Sequence, residues 1–283
     1  MSEVWPLSRV AALPPAETAM RVTPSVLPFV RATLPFALDV QPSRNLVVVG
    51  GGTLIDEAKR FVQEEAPHLR LIAIPSIWGS GAEASPVVVL NGAGGKRILM
   101  GEQYLPHARA VWPELAASLP EDRARDACGD AWAHAAEGYL SPLASEELRA
   151  EIAGLMQEMI EVGVGKDARW FELSARAAAA QARSSVGLVH GIAHTLEPLL
   201  PGWGHARLCA TYLAPVLRFD ARSQKTLPRG VEEEAGKLFD RSKYEQTLPV
   251  LQDAWRDVLR DRNTRTNATL VRAADLQFFL EYA

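Results

Sequence analysis

The stretch NLVVVGGGTLIDEAKRFVQEE, residues 45–65, constrains the fold more than any other part of the chain. Leu46 to Val49 form a short, fully apolar run that ends in three glycines, the pattern of a strand buried on both faces. After the glycines, Ile55, Ala58, Phe61 and Val62 recur at helical spacing, giving that segment one apolar face. Strand, tight turn and helix in this order make a βα unit.

The segment LRLIAIPSIWGSGAEASPVVVL, residues 69–90, repeats the logic with a strand at Leu71 to Ile74, a Gly/Ser loop, and a second apolar run at Val87 to Leu90. NGAGGK, 91–96, reads as a turn, with a hairpin as one form it can take. After SLPEDRAR, 118–125, Ala, Leu and Glu dominate and the periodicity becomes helical over 121–140, 145–164 and 168–197, then 231–241, 247–261 and 268–282. The expected organisation is a Rossmann-like α/β domain over 1–119 followed by an all-α domain over 120–283.

The chain has 283 residues, 48% hydrophobic and 23% charged, enough for one large or two moderate cores. Its net charge of -4, with no Lys/Arg block, argues against nucleic acid or a membrane surface as partner and for a small molecule. Acids and prolines interrupt the first twenty residues where a signal peptide needs a basic start and an apolar run, so a cytoplasmic protein is expected. Cys128 and Cys209 are too few for a disulfide framework; they read as reduced, packed thiols and are assigned no role.

Three of the six histidines fall within HGIAHTLEPLLPGWGH, residues 190–205. His190 and His194 share a helix face at i, i+4, and the Pro/Gly-rich turn before His205 can return it to that face. In GDAWAHAAEGY, Asp130 and His134 are likewise four apart. Together Asp130, His134, His190 and His205 would offer one oxygen and three imidazoles, a set suited to Fe²⁺ or Zn²⁺ and ill suited to Ca²⁺ or Mg²⁺. The same residues taken singly are also what hydrogen-bonded core histidines and a solvated helix pair look like. The triple glycine admits two readings as well: a phosphate cradle at a helix N-terminus, or a tight turn.

Four segments, in order, resemble the iron-containing (group III) alcohol dehydrogenases and, more distantly, glycerol dehydrogenase and dehydroquinate synthase. GGGTLIDEAK is similar to the family's GGGSxxDxAK, PSIWGSGAEAS to PTTxGTGSE, DAWAHAAEGYLSPLAS to DAxxHxxEAYxSxxA, and HGIAHTLEPLLPGWGH to HxxAHxxGxxxxxxHG. The resemblance implies a dehydroquinate synthase-like fold, a Rossmann-like domain joined to a helical metal domain with NAD(P) and substrate in the cleft between them. It puts Asp130, His134, His190 and His205 on the metal-ligand positions and His194 on the extra histidine between metal and nicotinamide. Gly50, Gly51, Gly52, Thr53 and Asp56, with Ser76 and Ser80, fall in the cofactor-binding segments. The implied activity is metal-dependent interconversion of a small alcohol and its aldehyde or ketone with NAD or NADP, in a chain that self-associates as a homodimer.

The chain departs from the family pattern in places. Only 44 residues precede Asn45 and seven of them are proline, so the first strand and the acidic residue that grips the adenosine ribose are expected to be missing and the Rossmann-like domain shortened. The family's loop threonines are Ser76, Ile77 and Ser80 here, Trp112-Pro113 replaces Asp-Pro, and Ala206 and Glu197 replace glycines. Glu197 is read as solvated in preference to an acid or base beside the metal, and Trp78 and Trp203 as packed in preference to lining a cleft. These departures keep two alternatives in view: a redox-neutral metal-dependent lyase, cyclase or hydrolase that has lost nicotinamide binding, and a non-catalytic subunit.

Overall fold

The computed structural model describes residues 2–92, 95–223 and 225–282. The chain divides into two compact units, Met1–Pro120 with Lys166–Ala179, and Glu121–Gly165 with Ala180–Ala283. The strands are β1 Glu3–Val4, β2 Thr18–Val22, β3 Ala37–Leu38, β4 Asn45–Gly50, β5 Arg70–Pro75, β6 Val87–Gly92, β7 Gly95–Met100 and β8 Ala108–Arg109. The helices are α1 Leu7–Ala11, α2 Leu27–Arg31, α3 Gly52–Glu65, α4 Leu115–Ser118, α5 Glu121–Leu140, α6 Glu146–Val162, α7 Arg169–Gln181, α8 Leu188–Leu196, α9 His205–Asp220, α10 Val231–Leu238, α11 Arg241–Arg260 and α12 Leu276–Glu281. No helix among the described residues is long and apolar enough to cross a membrane.

The first unit is built on a parallel sheet in the order β1-β8-β5-β4-β2-β3. The apolar run of β4 is buried throughout, as the sequence required of a strand covered on both faces. Ile55 and Ala58 of α3 pack on Leu46, Val48, Leu71 and Ala73, with Phe61 and Val62 at the margin. Full burial of an Ile, Leu or Val side chain contributes roughly 1.5–3 kcal/mol. β6 and β7 pair antiparallel, while residues 93 and 94 of the NGAGGK turn lie outside the described residues.

The expectation of a missing first strand is corrected here. β2 pairs in parallel with β4 over Thr18–Val22, and β3 adds a further strand beside it. The prolines Pro24 and Pro28 do not block this, because they occupy the first turns of a 3₁₀ turn and of α2, where no backbone N–H is needed. A strand-helix-strand unit is thus compressed into residues 18–38.

Lys59 joins α3 to the chain beyond β5. Its fully buried ammonium donates to Asp56 Oδ1 at 3.0 Å and to the carbonyls of Ala82, Ser85 and Val87 at 2.9, 3.0 and 2.5 Å. Such a buried ion pair holds only because each donor has an acceptor.

The second unit is helical around the Ala-rich α5, most of which is buried. The helix expected over 168–197 is instead two, α7 and α8. The break has a cause: Asn267 Oδ1 accepts from Leu188 N at 2.9 Å, and a Cβ on Gly187 would lie 2.5 Å from that oxygen, so the chain must open here to be capped. In the tail, α11 starts at Arg241 rather than near 247, because Asp240 caps it by accepting from Lys243 N at 3.1 Å. Only Leu276–Glu281 of the expected last helix is α-helical, after a 3₁₀ turn at Ala273–Asp275.

Candidate functional site

The second unit gathers the histidines, and the gathering starts with a missing side chain. A Cβ on Gly129 would stand 2.4 Å from Ala210 Cβ and 2.5 Å from its Cα, so glycine lets the backbone of α9 press against α5. The next residue along α5 is Asp130, and the neighbours of Ala210 on α9 are Cys209 and, one turn earlier, His205. Asp130 Oδ1 is 3.7 Å from His190 Nε2, 3.7 Å from His205 Nε2 and 3.5 Å from His134 Nδ1.

Asp130, His190, His205 and Cys209 offer one ligand atom each, all within 4.8 Å of one another. His134 stands beside this group, its ring centroid 4.5 Å from that of His190 and its Nδ1 3.0 Å from the carbonyl oxygen of Asp130. With Nδ1 occupied in this way, Nε2 is the atom His134 has left for a ligand. His194 lies on α8 with its ring centroid 5.1 Å from that of His205.

Two of the other imidazoles, His190 and His194, are hydrogen-bonded from behind. Glu137 Oε2 sits 2.7 Å from His190 Nδ1, and its other oxygen accepts from Val189 N at 2.5 Å. Glu197 Oε2 is 3.7 Å from His205 Nδ1, so this half-buried residue belongs to the surroundings of the cluster rather than to open solvent. Asn263 Nδ2 lies 3.0 Å from His194 Nδ1 and, as a donor, makes that nitrogen the acceptor. Partners of this kind fix tautomer and ring orientation.

Burial sets the protonation of the pair. It pushes the Glu137 carboxyl up to about 7, against the pull of its backbone donors, and pushes His190 down to about 3, with His134 adding to the fall. His190 is therefore neutral, with Nε2 offering a lone pair. Burial, and then the Asp130 and Glu137 carboxylates, push the Cys209 thiol up. Asp130 Oδ1 and His190 Nε2 are both buried and make no hydrogen bond among the described residues. A buried carboxylate oxygen and imidazole nitrogen left this way, 3.7 Å apart, are expected where a cation belongs.

In the first unit, the Gly50–Gly52 turn joins β4 to α3, and α3 has no side-chain cap at Gly51. Its first amides, including that of the exposed Thr53, are left for an anion. The glycines serve packing too: a Cβ on Gly50 would be 2.7 Å from Thr23 Oγ1 and one on Gly52 would be 2.5 Å from Ser80 Oγ. Thr23, which follows β2, and Ser80, which follows β5, thus flank the turn at the carboxyl ends of three adjacent strands. The strand order reverses between β2 and β4, and ligands of open α/β sheets bind at such a point. Ser76 is buried and donates its amide to Gly50 O at 2.9 Å.

Asp56 differs from its neighbours in the motif. Both carboxylate oxygens are engaged internally, by Lys59 and by Val89 N at 2.9 Å, so its part is to hold the loop. Trp78 is buried edge-on against Phe171 at 5.3 Å, a packing role. Asp39, at the carboxyl end of β3 with φ 50°, puts an acidic residue on the same edge of the sheet as the glycine turn, where none was expected.

No family model matches the sequence. It is 27% identical over 248 residues to an alcohol dehydrogenase of Thermococcus barophilus, covering 77% of this chain and 63% of that one. It is 30% identical over 189 residues to the 1-propanol dehydrogenase PduQ of Salmonella typhimurium, covering 61% and 50%. Among solved structures, the iron-containing alcohol dehydrogenase of Corynebacterium glutamicum superposes with a TM-score of 0.80 at 22% identity, over 99% of this chain and 94% of that one. This chain has the fold of the iron-containing alcohol dehydrogenases. The maleylacetate reductase of Agrobacterium tumefaciens superposes with a TM-score of 0.79 at 15% identity, over 99% and 95%, so the fold of the iron-containing alcohol dehydrogenases also carries another reductase. The chain spans about half to two thirds of the length of the curated relatives it matches.

Sequence reasoning did not single out Glu137, Asn263, Thr23, Asp39 or a role for Cys209. Two signals were available: Glu137 follows Asp130 and His134 at i+7 and i+3, and Cys209 follows His205 at i+4, each on the same helix face. For Asn263 no signal exists, since it lies 69 residues from His194.

Proposed function

We propose that the protein is a metal-dependent NAD(P) oxidoreductase that interconverts a small alcohol and its aldehyde or ketone. The observation that carries the reading is the pair of buried, unbonded ligand atoms, Asp130 Oδ1 and His190 Nε2, with His205 Nε2 3.7 Å from the same oxygen. Asp130, His134, His190 and His205 would hold a divalent ion, Fe²⁺ or Zn²⁺. When bound, the ion supplies Lewis acidity to a substrate oxygen and the nicotinamide supplies the hydride acceptor or donor.

The chain's own residues do the rest. Asp130 contributes the negative charge that offsets the cation. Glu137 accepts the Nδ1 proton of His190 and keeps the Nε2 lone pair directed into the cluster. His194, whose Nδ1 accepts from Asn263, carries its proton on Nε2 and can donate that N–H as a hydrogen bond to the oxygen of an alcohol or carbonyl. At the sheet edge, the amides of Gly52 and Thr53 and the hydroxyls of Thr23 and Ser80 would receive the dinucleotide phosphates, with Gly50 and Gly51 allowing close approach and Asp39 available to a ribose hydroxyl. Asp56 and Ser76 hold that turn and loop in place.

Calorimetric titration of the metal-analysed protein with NAD(H) and NADP(H), followed by an alcohol and aldehyde screen, tests this. Binding of either dinucleotide together with hydride transfer that His194→Ala lowers is the expected result. One tightly held ion per chain with no dinucleotide binding would overturn it and point to redox-neutral chemistry at the same residues.

A further inference from the structure

We propose that Cys209 takes the place of His134 as the fourth ligand to the ion, its thiolate joining Asp130, His190 and His205 while His134 stays beside them on the Asp130 carbonyl, and that the sulfur makes the site a Zn²⁺ site in preference to Fe²⁺. The inference rests on the proposed reading of the cluster as a metal centre and names the donor that selects the metal.

Geometry supports it first. A tetrahedral ion with bonds of about 2.0–2.3 Å to oxygen, nitrogen and sulfur keeps its ligand atoms roughly 3.3–3.7 Å apart. Here Cys209 Sγ is 3.5 Å from His205 Nε2, and Asp130 Oδ1 is 3.7 Å from both His190 Nε2 and His205 Nε2. The two carboxylate-imidazole separations are too long for hydrogen bonds and match the edges of a coordination polyhedron. Asp130 and His190, only 2% and 3% exposed, direct Oδ1 and Nε2 into this space without a hydrogen bond among the described residues.

Helix periodicity supports it second. Cys209 lies one turn beyond His205 on α9, so their side chains leave the same face. Gly129 brings that face against α5 at Ala210, the residue next to Cys209, so the sulfur is held beside Asp130 by the same close approach that holds His205. Cys128, one residue before Gly129, has its Sγ 3.6 Å from the carbonyl of Gly165 and is outside the group of mutually close ligand atoms.

Chemistry supplies the consequence. Coordination replaces the S–H bond by a metal–sulfur bond and releases one proton to solvent. A thiolate among nitrogen and oxygen donors is a soft ligand, and softness favours zinc over the harder first-row ions.

The test uses the full chain, stripped with a chelator and titrated with Co²⁺, a spectroscopic stand-in for Zn²⁺. The expected result is one Co²⁺ per chain with thiolate-to-cobalt charge-transfer absorption in the near ultraviolet, kept in Cys128→Ala and lost in Cys209→Ala and Cys209→Ser while Co²⁺ still binds. Zn²⁺ affinity, measured by chelator competition, should fall at least about 100-fold in Cys209→Ala, beyond the usual cost of losing a supporting partner. Co²⁺ bound at one per chain without that absorption in the wild-type protein would overturn the role of Cys209 and leave the metal centre standing. Failure of the wild-type chain to bind Co²⁺ or Zn²⁺ would overturn the metal centre and the thiolate with it. Because the deciding spectrum is that of the wild-type chain, the outcome stands even if a Cys209 variant fails to fold.

Discussion

Glu137 Oε2 lies 2.7 Å from His190 Nδ1, and both groups are almost completely buried. The carboxyl therefore sets which nitrogen of His190 faces the cluster. Glu137→Gln keeps the shape but can present its amide N–H where an acceptor is needed. Metal affinity should fall roughly 10–100-fold, the range for loss of a partner behind a ligating histidine. Chelator competition on the variant measures this, and unchanged affinity would remove Glu137 from the centre.

Gly129→Ala tests the helix contact that assembles the cluster. The new methyl would meet Ala210 Cβ at 2.4 Å and Cα at 2.5 Å, contacts that the α9 backbone must relieve by moving. Overpacking of this kind costs roughly 1–3 kcal/mol. We expect a lower midpoint in denaturant unfolding and less than one ion per refolded chain; full stability with full metal content would show that α5 and α9 can separate without consequence.

Lys59→Met isolates the buried bolt in the first unit. It leaves the Asp56 carboxylate with its cation gone and frees the carbonyls of Ala82, Ser85 and Val87. Breaking one side of a buried pair costs roughly 3–5 kcal/mol, and the double variant with Asp56→Asn should recover part of it. Unfolding curves of the two variants decide the point: equal stability of single and double variants would mean the pair is not coupled.

Glu83 gives a pH prediction away from the metal cluster. Burial pushes its carboxyl from the ordinary 4.5 up to about 7. A carboxyl whose pKa is higher folded than unfolded binds more protons in the folded state. Its contribution is thus present at low pH and lost as pH rises from about 4.5 to about 7, an effect on the order of 3 kcal/mol. Glu83→Gln should flatten the fall of stability over this window; Glu137 and Asp220, also pushed up to about 7, keep it from vanishing. An unchanged pH profile in the variant would mean Glu83 titrates normally.

What the sequence by itself determined is what local periodicity encodes. The apolar run and glycines of 45–52 dictated a buried strand and its turn, because no other element suits four apolar residues ended by three glycines. The i, i+4 spacing of Asp130 with His134 and of His190 with His194 put each pair on one helix face before any contact was known. Short strands beside prolines escaped the same logic: β2 and β3 have five and two residues, too few for a period to register, and exist because β4 offers a pairing edge to β2 and β2 offers one to β3. The split of 168–197 into two helices likewise depends on Asn267, some eighty residues away from the position it caps. Only the tertiary structure set Glu137 behind His190, Asn263 behind His194, and Cys209 beside Asp130. Those relations are made by the close approach of α5, α8 and α9, and a distance between helices is a property of packing that spacing along one chain does not contain.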